Sequence, residues 1–236
     1  MRLWLVSILG CAEPADPCAP PSPEALASLA AKGELALATA RCQWKGLDLR
    51  GVALGKDLEG ASLVEARLDG VDLSGAKLTG AVLAGAGLSK ARLDDAVLDR
   101  AEVEGARLDG VSAQRARFHT AKLAKADLTG ADLTEAYLFD ADLRGAKLAG
   151  VRFHRAGLSR ANLDGAELAG AVFAGADLTD ARFGTGSVAG ADLGGADLGG
   201  ADLSGVTGKP ASCAGALVNE ATRFPGGVTL EAWCAP

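Results

Sequence analysis

A narrow all-β solenoid is the fold that this sequence predicts, on three observations. From Ala61 to Gly205 the chain keeps a five-residue phase without insertion. Ala or Val stands one position past nearly every multiple of five, with Leu or Phe two residues later, as in Ala76-Lys77-Leu78-Thr79-Gly80 and Ala201-Asp202-Leu203-Ser204-Gly205. Neither regular element can use that period. Five residues advance an α-helix by about 500°, so successive leucines step about 140° and form no stripe. In a straight strand an odd period throws them onto opposite faces. Thirdly, aromatic residues are only 4% of the 236 residues while Gly numbers 32, which is too little bulk for an ordinary globular core. The backbone must turn within each repeat, so that Ala and Leu point inward and the other three positions outward. Gly at the fifth position, as at Gly80 and Gly145, suits a corner that needs permissive dihedrals.

The first element, residues 1–22, reads as a signal and tether. Met1-Arg2 supplies a positive charge, Leu3 to Leu9 a short apolar run, and Ile8-Leu9-Gly10-Cys11 a small residue directly before a cysteine. This resembles the lipobox of bacterial lipoproteins, which implies lipidation of Cys11 and a membrane anchor there. The alternatives are a signal peptide cut elsewhere, or a short buried segment of a cytosolic protein. Ala12 to Pro23 is rich in Pro and Ala, as suits an extended tether. No apolar run reaches the roughly 18 residues of a spanning helix. Residues 23–42 follow as a capping helix, predicted from about Pro23 to Arg41. Ser22 stands at its cap, Pro23 in its first turn, and Leu26, Leu29, Leu35 and Leu37 along it.

Residues 47–205 form the repeat. Written as Ala131-Asp132-Leu133-Thr134-Glu135 and Ala141-Asp142-Leu143-Arg144-Gly145, it resembles the pentapeptide-repeat family over about two thirds of the chain. The resemblance implies a right-handed quadrilateral β-helix of four repeats per coil, here about seven to eight coils. Residues twenty apart then stack, and the position before each Leu becomes a column. One column runs Glu102, Lys122, Asp142, Asn162, Arg182, Asp202; another runs Arg107, Asp127, Lys147, Glu167. The signs alternate, which supports the coil length independently, since each opposite pair on adjacent rungs contributes about 0.2–1 kcal/mol. Alternation fails at Asp177 and Asp197. The interior is expected to be filled, so that Leu143→Asp is costly and Thr134→Asp nearly silent.

Three irregularities stand out. Leu54 to Leu58 is one residue short, so the coil around Gly55 is distorted or the register begins after it. Ala113 replaces a central Leu, beside Phe118. At Gly186 the inward Ala is missing, and Gly184-Thr185-Gly186-Ser187 reads as a loose, mobile corner. Residues 206–236 are read as the C-terminal cap. Ala221 to Gly227 there resembles a closing segment common after such repeats, and Phe224 and Trp233 supply bulk. With Cys11 lipidated, Cys18, Cys42, Cys213 and Cys234 remain as disulfide candidates. Local pairing, Cys18 with Cys42 and Cys213 with Cys234, is favoured, because a rod of about 35–40 Å at ~4.8 Å per coil separates its ends beyond disulfide reach. A zinc site is the competing reading, without C-x-x-C spacing or a nearby His.

No constellation here points to catalysis, a cofactor or a metal. His119 and His154 both follow a central Phe and point outward; coil arithmetic places Asp99 one rung from His119, where an ion pair would raise the histidine pKa. Arg115, Arg117, Arg152 and Arg155 belong to a solvated face, an anion site being the alternative. The net charge of -6 argues against a nucleic-acid partner. Asp164, Glu167, Asp177, Asp180, Asp192, Asp197 and Asp202 make the C-terminal part acidic. Some members of the resembled family are cytosolic DNA mimics that bind topoisomerase. The reading is thus a non-enzymatic exported lipoprotein, periplasmic or in the outer membrane, whose rod meets an unnamed protein partner. The alternative is a cytoplasmic DNA mimic that binds and protects DNA gyrase.

Overall fold

Hydrogen bonds between consecutive coils set the architecture, and residues 76–80 show the scheme. In the computed structural model, which describes residues 43–235, Lys77 N–H donates to Lys56 O in the preceding coil (2.7 Å). Leu78 N–H and Gly80 N–H donate to Val97 O (2.7 Å) and Asp99 O (2.9 Å) in the following coil. Ala81 N–H turns back to Leu78 O (3.0 Å) and closes the corner. At that corner the fifth residue adopts left-handed backbone, φ 63° at Gly80, which is why Gly recurs there. Arg100, Arg115 and Asp180 hold the same conformation at φ 59°, 57° and 56°, at a cost of about 1–2 kcal/mol each.

One parallel bridge per repeat joins the residue before each Leu to the residue twenty farther on, as in Lys122 to Asp142 to Asn162. Twenty residues are four repeats, so each coil has four sides. A side is too short for an extended strand, and pairing is therefore confined to single bridges. The ladder runs from Gln43–Ser62 to Asp202–Arg223, about nine coils at twenty residues each, where the sequence reading expected seven to eight. Thr207, Ser212, Leu217 and Arg223 continue it although the Ala-x-Leu rule has lapsed, because the ladder bonds use only backbone groups.

Inside, Leu123, Leu143 and Leu163 stack in one column at 1%, 0% and 0% exposure. Phe153 and Phe173 stack with ring centroids 5.1 Å apart. Each buried Leu or Phe contributes about 1.5–3 kcal/mol. Ala113 and Phe118 are both buried. The one-residue deletion is absorbed at the start: the bridges Gln43–Ser62 and Asp48–Arg67 span nineteen residues, and Asp72 has no bridge to the coil before it. Lys56 Nζ reaches the Asp72 carbonyl instead, at 3.2 Å.

Around residue 184 the chain takes a defined alternative turn rather than a loose corner. Left-handed backbone moves to Gly184 (φ 50°), Thr185 N–H donates to Asp164 Oδ1 at 2.9 Å, and the ladder continues through Ser187. Gly186 lacks its Cβ for a reason: one built there lies 2.9 Å from Ala166 O.

The cap begins after Arg223, later than residue 206, because the ladder reaches that far. A 3-10 turn, Pro225–Gly227, leads to a short helix α1, Leu230–Cys234, whose start is capped by Thr229. Phe224 and Trp233 are buried against each other at 5.4 Å between centroids. Cys213 and Cys234 are disulfide-bonded, tying α1 to the last coil. The predicted N-terminal helix, the tether and Cys11, Cys18 and Cys42 lie outside the described residues.

Candidate interaction surface

Because the central Leu and Phe positions are buried along the whole rod, the chemistry available to a partner lies at the outward positions. Among the described residues no group of three or more His, Cys, Asp or Glu side chains is placed to hold a metal ion. An open groove of about 830 Å³ runs near the C-terminal end, lined by Asp140, Arg160, Asp180, Arg182, Asp202 and Arg223. Its charges balance.

The recurrent Asp before Leu has a local role. The N–H two residues after it is the one backbone donor that the coil-to-coil scheme leaves out. Asp127 Oδ1 accepts it from Thr129 (3.1 Å), Asp132 Oδ1 from Thr134 (3.1 Å), and Asp197 Oδ1 from Gly199 (2.9 Å). At three repeats whose residue before the central position is not Asp or Asn, an Asp twenty residues earlier serves instead: Asp69 for Ser89 (3.1 Å), Asp94 for Gln114 (3.0 Å) and Asp99 for His119 (3.2 Å). Asx-type capping is thus the physical content of the Ala-Asp-Leu motif. The alternating charge of the column does not reveal it. The signal was there, in the frequent Thr or Ser two residues after Asp.

The charge columns form in part. Lys122 pairs with Glu102 at 2.8 Å and Lys147 with Asp127 at 3.5 Å, each across one coil. Asp142 departs from the column, since Arg144 on its own rung holds it at 2.6 Å and lowers its pKa by hydrogen bonding. Asp48 is similarly held by Arg50, whose side-chain hydrogen bond lowers it to about 2. Two corner columns contribute Arg115–Asp95 at 2.8 Å and Arg160–Asp140 at 2.6 Å.

His119 does not form the expected ion pair. Asp99 gives one oxygen to the His119 backbone N–H and the other to Arg117 Nη2 at 2.6 Å, so the imidazole packs instead against Phe139 and Tyr137. His154 is exposed. Arg115, Arg117 and Arg152 each face a carboxylate, with Arg152 3.8 Å from Asp132. Among the described residues Asp177, Asp192 and Asp197 form no ion pair. Asp177 and Asp197 are nevertheless bridged neighbours, each held by a backbone N–H.

The comparisons with known proteins accord with this geometry. The family model for pentapeptide repeats matches in eight copies, over residues 48–184 and 189–221. The chain belongs to the pentapeptide-repeat family. Its fold is accordingly the right-handed β-helix of that family. Full-length QnrB1, a plasmid-mediated fluoroquinolone resistance protein, is similar at 21% identity and a TM-score of 0.61, over 75% of this chain and 92% of that one. HetL, a pentapeptide repeat protein involved in heterocyst differentiation regulation from the cyanobacterium Nostoc sp. strain PCC 7120, is 29% identical over 80% of this chain and 89% of that one, with a TM-score of 0.43. A pentapeptide repeat protein of the Arabidopsis thaliana thylakoid lumen is 33% identical over 39% of this chain and 64% of that one, with a TM-score of 0.38. No curated protein matches the chain.

Proposed function

We propose that this pentapeptide-repeat protein is a non-enzymatic exported lipoprotein, anchored through Cys11, whose rod presents charged flat faces to a protein partner at the bacterial envelope. The observation that carries the binding role is the filled interior: Leu and Phe side chains occupy every coil, so function falls to the outer faces. Export rests on the Met1–Cys11 leader and on the Cys213–Cys234 bond, of a kind that persists in oxidising compartments. Palmitate labelling and fractionation test it. Incorporated label lost on Cys11→Ser, with the protein in the membrane fraction, is the expected result; an unlabelled cytosolic protein overturns the reading.

A second reading is favoured by the carboxylates of Asp177, Asp192 and Asp197, which lack cationic partners among the described residues. On it, the chain is a cytosolic DNA mimic that protects DNA gyrase. Relief of quinolone inhibition in a gyrase supercoiling assay supports it, and no relief at saturating protein removes it.

A further inference from the structure

One flat face of the rod carries an aromatic platform that the interior packing does not require. Tyr137 is 45% exposed, and Phe139 lies half-buried on the same outer surface. His119, one coil earlier, completes the cluster with its ring centroid 5.2 Å from Phe139 and 6.2 Å from Tyr137. The next rung after Tyr137 is Gly157. Phe139 lies across it so closely that a Cβ there would come within 2.9 Å of the ring's Cζ. Phe139 thus carries the platform across the Gly157 rung toward the C-terminal end, where the column continues with Asp177, Asp197 and Leu217.

Charge says what such a face would take. Nearer the N-terminus this face pairs Asp99 with Arg117, and at the corner beside the platform Asp140 pairs with Arg160. Beyond the platform Asp177 and Asp197 form no ion pair among the described residues. At ~4.8 Å per coil they stand about 10 and 14 Å from Tyr137 along the axis, a distance that an extended segment of about five residues spans at ~3.3 Å per residue. Ring faces attract ammonium and guanidinium groups, as carboxylates do.

We propose that this face docks an extended lysine- or arginine-rich polypeptide segment, with one cation over Tyr137 and Phe139 and others at Asp177 and Asp197. The inference rests on the reading of the rod as an interaction surface, and names the chemistry of the partner. Anionic surfaces, nucleic acid included, are repelled by the same column.

Fluorescence anisotropy of the full chain with a labelled short oligolysine, and with an oligoglutamate of equal length, tests it. The oligolysine binds and the oligoglutamate does not. Tyr137→Ala with Phe139→Leu, which keeps Gly157 covered, weakens oligolysine binding about three- to tenfold. Asp177→Asn with Asp197→Asn weakens it about tenfold and flattens its salt dependence. Asp192→Asn, which removes one carboxylate on another column, leaves it unaltered. Equal loss with Asp192→Asn, or no loss with the aromatic variant while circular dichroism is unchanged, overturns the proposal in favour of diffuse attraction. Absent oligolysine binding overturns it too. Membrane fractionation is independent of all these outcomes, so failure of the anchoring reading is distinguishable from failure of this one.

Discussion

Thr134 donates twice to Asp132 Oδ1, from its hydroxyl at 2.6 Å and its backbone N–H at 3.1 Å. The pair makes position 134 less tolerant than its outward direction suggests. Thr134→Asp sets a second carboxylate against Asp132 and removes one hydrogen bond, so it costs about 1 kcal/mol where the sequence reading expected silence. Leu143→Asp buries an unpaired charge in the filled column and costs about 4 kcal/mol or more. Urea denaturation of both variants checks the ranking; equal losses would contradict the inward and outward assignment.

Position 186 gives a counterintuitive test. Restoring the family's Ala there brings a Cβ within 2.9 Å of Ala166 O and 3.1 Å of Phe183 O, both backbone atoms. Gly186→Ala is expected to destabilise by about 1–3 kcal/mol, as overpacking does. Gly130→Ala has open space and only the strain of φ 66°, a cost of about 1 kcal/mol. A thermal melt in which Gly186→Ala gains stability would refute the turn described.

Acid sensitivity follows from the paired carboxylates. Asp48 is lowered from 3.8 to about 2 by the side-chain hydrogen bond of Arg50, and Asp95, Asp140 and Asp142 are lowered by hydrogen bonds from Arg115, Arg160 and Arg144. A carboxyl group whose folded pKa lies below its unfolded value stabilises the fold above the unfolded value and loses that contribution as pH falls through the folded one. Melting temperature should therefore hold steady down to about pH 5 and fall between 3.8 and about 2. Asp140→Asn combined with Asp142→Asn should make that fall shallower.

Reduction tests the cap. The Cys213–Cys234 bond closes 21 residues, so its loss costs about 3 kcal/mol by chain entropy. In a solenoid that cost is felt first at the end coil. Cys213→Ser should expose Trp233, read as red-shifted emission, and raise hydrogen exchange in residues 206–223 while residues 120–165 stay protected. Uniform loss of protection would show that the coils unfold together.

The five-residue period by itself determined the inward and outward positions and the need for a corner at every fifth residue, while the twenty-residue coil was implied by the resemblance to the pentapeptide-repeat family and supported by the alternating signs of Glu102, Lys122 and Asp142. Those are properties of each repeat's own chemistry, and repetition makes them legible. Only the tertiary structure decided which side chains meet. Arg117 reaches Asp99 across eighteen residues and leaves His119 to the aromatic rings; Arg144 takes Asp142 from its column; Phe139 lies across Gly157 beside Tyr137. The ladder's extension to Arg223 was equally hidden, because backbone bonds carry no side-chain signature. Long side chains on a flat face choose among several partners at similar distances, and geometry, not spacing along the chain, selects among them.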